Sequence, residues 1–258
     1  MKKFTNKIAI IGFGNMGKAI VSGLIKSGNF EKSNFLVSND GASNIQAVKE
    51  AEIIILAVRP EMVLDVLDGI KDHLSKEKVL ISLVARLKID DIKNFLGFKY
   101  SIVRVMPNIC ASVGESMSCW VKSREVSVSQ IEKVKFILRS IGEEIMLSDE
   151  ELFNVVTVIS GSGPAYFLYL AELFFDFAEK MKLEPKLARK LIEQTFLGTS
   201  SMLFEVDKSA EMLRREITSK GGTTESVFKK LHEEKFGQVF LEALISGYKK
   251  TSGNTPEN

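Results

Sequence analysis

Residues 7–27 read Lys7-Ile8-Ala9-Ile10-Ile11-Gly12-Phe13-Gly14-Asn15-Met16-Gly17-Lys18-Ala19-Ile20-Val21-Ser22-Gly23-Leu24-Ile25-Lys26-Ser27. An apolar run, Ile8 to Ile11, breaks into a glycine-rich turn, and the residues beyond it repeat with helical spacing. The stretch therefore predicts strand, turn and helix. Each glycine has its own task in such a turn: Gly12 permits the tight reversal, Gly14 lets a pyrophosphate reach the backbone, and Gly17 lets the helix lie close to the strand. The helix start then offers unpaired N–H groups to phosphate. Ala19, Ile20, Gly23, Leu24 and Ile25 form one face, and Gly28 stands where a C-terminal cap belongs. A turn without a ligand could use the same glycines, but the correct flanks on both sides favour dinucleotide binding.

With 258 residues and 45% hydrophobic content, the chain can fill one large core or two modest ones. Its 35 basic and 33 acidic side chains are mixed along the sequence, for a net charge of +2. Neither nucleic acid nor a membrane surface is expected as a partner, and small molecules are the default. Cys110 and Cys119 stand singly, without metal-ligand spacing or a disulfide framework, which fits a reducing cytoplasm. Met1-Lys2-Lys3-Phe4 leads straight into the first strand, leaving no room for a signal peptide. No apolar run approaches the ~20 residues of a bilayer span. His73 and His232, the two histidines, read as surface residues, so neither a histidine acid–base mechanism nor a metal site is expected.

Further strands are expected at Asn34–Val37, Glu52–Val58, Val79–Val84 and Ser101–Val105, with helices between them, which makes a parallel sheet. At the end of the second strand an acid would take a free ribose 2′-hydroxyl, whereas small polar residues accept a 2′-phosphate. Here Ser38 and Asn39 come before Asp40, so NADPH is preferred and NADH is the alternative. Ligands of open parallel sheets lie beyond the carboxyl ends of the strands. Val58-Arg59-Pro60, Ala85-Arg86 and Met106-Pro107-Asn108 should therefore line the same crevice as the glycine turn. Met117–Lys122 reads as another strand.

From about Ser123 helices take over, so residues 1–123 are expected to form an α/β domain and 124–258 a helical one. Ser127 or Ser129 can cap a helix, Glu143–Leu147 is a short strand, and Gly161-Ser162-Gly163-Pro164 interrupts a helical pattern. Ala165–Met181 is apolar nearly all round, which predicts burial on more than one side and hence a surface shared between subunits. Glu172 and Asp176 on that helix read as a solvated stripe rather than catalytic carboxylates, because no basic partner accompanies them. The tail from Thr251 is polar and expected to fray. Ser219-Lys220-Gly221-Gly222-Thr223-Thr224-Glu225 is the second stretch with chemistry in it. A threonine cap with Glu225 behind it would explain one or two of these residues; the surplus of glycines and hydroxyls points to a bound carboxylate.

These motifs together resemble the pyrroline-5-carboxylate reductase family. The resemblance rests on Ile11–Ala19, Ala57-Val58-Arg59-Pro60, Val103–Asn108, Ser160-Gly161-Ser162-Gly163-Pro164-Ala165-Tyr166 and Ser219–Thr224, in family order over nearly the whole chain. It implies an N-terminal Rossmann-like domain that binds NADPH, a C-terminal all-helical dimerisation domain, larger assemblies of dimers, and reduction of a cyclic imine to proline. Carried over by position, Gly12, Phe13, Gly14, Asn15, Met16 and Gly17 would hold the pyrophosphate and Asn39 the 2′-phosphate. Asn44 would lie near the adenine-side ribose, and Val58 and Arg59 near the nicotinamide. Ser219, Gly221, Gly222, Thr223 and Thr224 would bind the substrate carboxylate together with Asn108, and Thr224 would orient the ring for hydride. Against the family pattern, Lys220 stands where a proline is usual, Arg59 replaces lysine, Arg86 replaces glycine, and Ile109-Cys110 replaces Thr-Pro. The stretch from Asp40 to Glu52 is also shorter than in most relatives. A related imine or carbonyl reductase, or a non-catalytic NADPH-binding regulator, would keep the same architecture.

Overall fold

A computed structural model describes residues 3–97 and 99–252. Strands β1 (Ile8–Ile11) and β3 (Ile53–Leu56) are apolar and buried at every position, as strands covered on both faces must be. They lie inside a seven-stranded sheet of order β2-β1-β3-β4-β5-β6-β7. The other strands are β2 (Phe35–Ser38), β4 (Val79–Ser82), β5 (Ser101–Met106), β6 (Ser116–Lys122) and β7 (Gly142–Met146). Pairing is parallel throughout except that β6 runs antiparallel to β5.

Alternate side chains divide between two cores. Ile8, Ile10, Ile53 and Ile55 pack with α1 (Asn15–Lys26) and α5 (Val128–Arg139) through Ile20, Leu24, Val134 and Ile137. Ala9, Ile11, Ile54 and Leu56 face α2 (Gly41–Glu50), α3 (Val63–Ile70) and α4 (Ile89–Leu96) through Val48, Leu67 and Ile92. The period-2 alternation of the strands thus builds a helix layer on each face.

The chain divides into two compact units, one running to Pro164 and taking in the chain from Lys250, the other Ala165–Lys249. The composition change at residue 123 is not where the first unit ends. Ser127 caps α5, whose Val134 and Ile137 enter the sheet's core, and β7 adds a strand beside β6, so the sheet keeps recruiting chain after helices begin. Buried Arg104 on β5 completes this unit. Its Nη1 donates to Glu150 at 2.8 Å and its guanidinium lies 4.3 Å from the Phe153 ring centre. Glu150 also accepts from the Ile89 N–H, at the start of α4.

The Gly161–Pro164 interruption is a π-turn. Residues Thr157–Gly161 join α6 (Phe153–Val156) to α7 (Gly163–Lys180), and the Ser162 N–H reaches the Thr157 carbonyl at 2.8 Å. Pro164 is the cause: in a regular helix its N–H would serve the carbonyl four residues back, that of Ser160, and it has none. Asn108 supplies the missing donor. Its Nδ2 lies 3.2 Å from the Ser160 carbonyl oxygen and 3.3 Å from Ser160 Oγ, while its Oδ1 accepts from the Cys110 N–H at 3.1 Å.

The helical unit continues α7 and adds α8 (Pro185–Glu205), α9 (Ala210–Glu216), α10 (Thr223–Glu233) and α11 (Phe236–Thr251). Its buried apolar residues are Ala178, Ala188 and Leu213 alone, while Phe167, Leu168, Phe177, Leu197 and Phe204 are all exposed. This unit carries almost no core of its own. The helical run Glu150–Lys180 is long and apolar enough, by length and composition only, to cross a membrane. The tail expected to fray from Thr251 begins at the last residue of α11, and beyond Ser252 lies outside the described residues.

Asn108→Ala leaves the Ser160 carbonyl without its donor and should cost about 1–3 kcal/mol of stability. Pro164→Ala restores the N–H, so in that background the loss should shrink. Calorimetric unfolding of the four proteins reads this; equal losses in both backgrounds contradict the assignment.

Candidate active site

The glycine turn follows from what crowds it. Gly12 has φ of +93°, and a Cβ there would lie 2.6 Å from the Ala57 carbonyl oxygen. A Cβ at Gly17 would lie 2.4 Å from the Gly12 carbonyl oxygen. Neither position admits a side chain. At Gly14 the opposite holds: its backbone is extended, with φ −73°, and an added Cβ would meet nothing within 4 Å. The space beside Gly14 is open, and Gly14 gives α1 no side-chain cap. The first N–H groups of α1, from Asn15 and Met16 onward, therefore lack an intrahelical acceptor. An open cradle in front of bare N–H groups at the positive end of a helix fits a pyrophosphate.

The end of β2 is tied to this turn. The Gly12 N–H bonds the Ser38 carbonyl at 2.9 Å, and the Phe13 N–H bonds Asn39 Oδ1 at 2.7 Å. Because that contact needs an acceptor, the Asn39 carboxamide is oriented with its Nδ2 donors away from the turn, on an exposed residue. Asp40 is the N-cap of α2; its carboxylate accepts from the Ser43 N–H at 2.9 Å and the Ser43 hydroxyl at 2.7 Å. Those Ser43 hydrogen bonds hold the carboxyl below its usual range. Asn44 is buried, with its Oδ1 accepting from the Ser38 hydroxyl at 2.6 Å. Its carboxamide oxygen braces β2 against α2.

The register Ile11↔Leu56, Leu56↔Ser82 and Ser82↔Arg104 brings the ends of β1, β3, β4 and β5 level. Val58 is half-buried, its Cγ1 2.9 Å from the position of an added Gly12 Cβ, and Arg59 is exposed. Arg86, in the loop after β4, has φ of +60°, a conformation that suits the glycine it replaces and strains an arginine. Asn108 is buried, and both ends of its side chain are engaged, by Ser160 and by Cys110, so the structure gives it a bracing task. That task was hidden because it depends on a proline 56 positions further along the sequence. Burial pushes the Cys110 thiol pKa up, which disfavours a nucleophilic thiolate. Among the described residues no group of three or more His, Cys, Asp or Glu could hold a metal ion.

In the helical unit, α10 begins in the same way as α1. Its N-cap is Gly222, with no side-chain cap, so Thr223, Thr224 and Glu225 present N–H groups without intrahelical acceptors. The hydroxyls of Ser219, Thr223 and Thr224 have no hydrogen-bond partner among the described residues. Ser219 Oγ lies 2.6 Å from where a Gly222 Cβ would be, and the Gly222 N–H bonds the Ser219 carbonyl at 3.1 Å, which fixes the turn. Gly221 has φ of +74°, and its N–H is held by Glu225 Oε2 at 2.7 Å. Glu225 thus closes the loop from behind, and the residue at the cap position is Gly222, not a threonine. Hydroxyls and N–H groups in this number, all donors, suit one carboxylate.

A family model described as pyrroline-5-carboxylate reductase dimerisation matches residues 150–253, and one described as NADP oxidoreductase, coenzyme F420-dependent, matches residues 7–44 and 32–86. The chain is 34% identical over 252 residues to the pyrroline-5-carboxylate reductase of Haemophilus influenzae, covering 92% of this chain and 93% of that one. It is 31% identical over 263 residues to pyrroline-5-carboxylate reductase 2 of Bacillus subtilis, covering 95% and 94%. Among solved structures, the Coxiella burnetii pyrroline-5-carboxylate reductase superposes with a TM-score of 0.82 at 31% identity, over 98% of this chain and 100% of that one. The Plasmodium falciparum pyrroline carboxylate reductase with NADP bound gives 0.90 at 27% identity, over 98% and 100%. On two uncapped helix starts, a matching dimerisation model and near-complete coverage at 31–34% identity, this chain belongs to the pyrroline-5-carboxylate reductase family.

Proposed function

We propose that this chain reduces the imine of 1-pyrroline-5-carboxylate to proline with NADPH. The observation that carries this reading is that α1 and α10 both start at a glycine with no side-chain cap, leaving one bare anion cradle in each unit. The first would hold the pyrophosphate through the backbone of Gly12–Gly17, with Asn39 at the 2′-phosphate and Val58 and Arg59 on the nicotinamide side. The second would hold the substrate carboxylate through Ser219, Gly221, Gly222, Thr223 and Thr224. The nicotinamide supplies the hydride. The chain's own work is then positioning: the α10 amides fix the carboxylate, and Thr224 orients the ring so that one face of the imine carbon is presented. A cyclic imine is readily protonated by solvent, so the absence of a histidine from this loop costs the reaction little.

The exposed apolar surface of Ala165–Lys249 supports a homodimer, or a larger assembly of dimers, with a second copy covering α7, and the lone cysteines Cys110 and Cys119 fit a cytoplasmic setting.

Purified protein should oxidise NADPH on addition of 1-pyrroline-5-carboxylate, followed by absorbance, and Thr224→Ala should lower kcat/KM roughly tenfold or more, the loss of one orienting hydrogen bond. No oxidation by the wild type overturns the proposal; wild-type kinetics in the variant remove Thr224 from the site. Gly14→Val fits the local backbone but fills the open cradle, so NADPH affinity should fall by about tenfold or more with the fold unchanged. Unaltered affinity would move the cofactor elsewhere. Sedimentation equilibrium should give a dimer or a multiple of it, and a monomer would contradict the assigned role of α7.

A further inference from the structure

The end of β2 carries a contradiction that the cofactor reading alone does not resolve. An acid in this region ordinarily accepts from the 2′-hydroxyl of NADH and repels a 2′-phosphate. Asp40 is such an acid, exposed, its carboxyl held below the usual range by Ser43, and among the described residues no cation pairs with it. What it has instead is Ser43. One carboxylate oxygen takes the Ser43 N–H at 2.9 Å and the other the Ser43 hydroxyl at 2.7 Å. The positive end of α2 adds to the hold on this charge.

We propose that Ser43 is a cofactor-specificity residue that acts through Asp40: its N–H and hydroxyl each take one carboxylate oxygen, which holds the acid at the cap of α2 and leaves it a weaker acceptor for a ribose 2′-hydroxyl. With the acid occupied, the remaining donor at this strand end is the Asn39 carboxamide, whose Nδ2 is turned outward by the Phe13 N–H contact and suits a 2′-phosphate. Without the Ser43 hydroxyl, one oxygen of Asp40 is released and the site gains the acceptor that NADH recognition uses. Ser43 is thus a positioning residue for cofactor choice, and Asp40 the group it restrains. The inference rests on the glycine turn holding a dinucleotide.

Calorimetric titration of NADP+ and NAD+ tests it without any turnover, using wild type, Ser43→Ala, Asp40→Asn and the double variant. In the wild type NADP+ should bind more tightly. Ser43→Ala should lower the NADP+:NAD+ affinity ratio by about tenfold, the scale of one hydrogen bond to a charged group. Asp40→Asn should raise the ratio, and adding Ser43→Ala in that background should then change nothing, because no charge remains to release. A merely structural serine would weaken both dinucleotides together or act equally in both backgrounds, and either result overturns the inference, as does an unmoved ratio. Wild-type protein that binds neither dinucleotide overturns the dinucleotide reading itself and takes the inference with it.

Discussion

Backbone N–H groups at the start of a helix have no acceptor inside it, and some other group must meet them. In this chain α2, α5, α8 and α9 meet the requirement with their own side chains, from Asp40, Ser127, Glu184 and Ser209. Without a side-chain cap, α3 and α6 continue from preceding 3₁₀ turns, and α4 has its first N–H taken by Glu150; α1 and α10 alone have a glycine at the cap position, and each leaves donors with no side-chain acceptor. Such donors keep their full attraction for an anion, which a capping carboxylate would cancel. The proposed chemistry depends on this asymmetry between the capped and the uncapped helices.

The surrounding structure holds these two starts in shape by hydrogen bonds that reach across the sequence. Asn39 ties the glycine turn to β2, and Glu225 holds the loop before α10 from behind. Asn108 provides the donor that Pro164 lacks, so a helix with a proline in its path continues through a π-turn. Glu150 joins β5, α4 and the chain that follows β7 through Arg104 and the Ile89 N–H. Breaking the buried pair would leave Arg104 charged and unpaired beneath the sheet, the costly way to lose an ion pair.

Much of the fold was legible because its determinants are local. Four consecutive buried residues in β1 and β3, the spacing of Gly12, Gly14 and Gly17, and Pro185 at the start of α8 each act within a few positions of themselves. The parts that were not legible are set at long range. The antiparallel direction of β6 is decided by its pairing with β5, not by its composition. The extension of the first unit past residue 123 depends on β7 finding β6. At the site, the glycines and hydroxyls of 219–224 could be read as donors in excess of capping needs, yet which residue caps was not visible, and it is Gly222. Asn44 and Asn108 carry the right chemistry for ligands, and each also has a bracing task, toward Ser38 and Ser160, that the sequence did not show.

Amide-resolved NMR on the intact protein offers the most direct check of the two-cradle account, titrating NADP+ and L-proline separately. The account predicts that NADP+ shifts the N–H resonances of Asn15 and Met16, while proline, through its carboxylate, shifts those of Thr223, Thr224 and Glu225. Saturating ligand that leaves either set unmoved would contradict it.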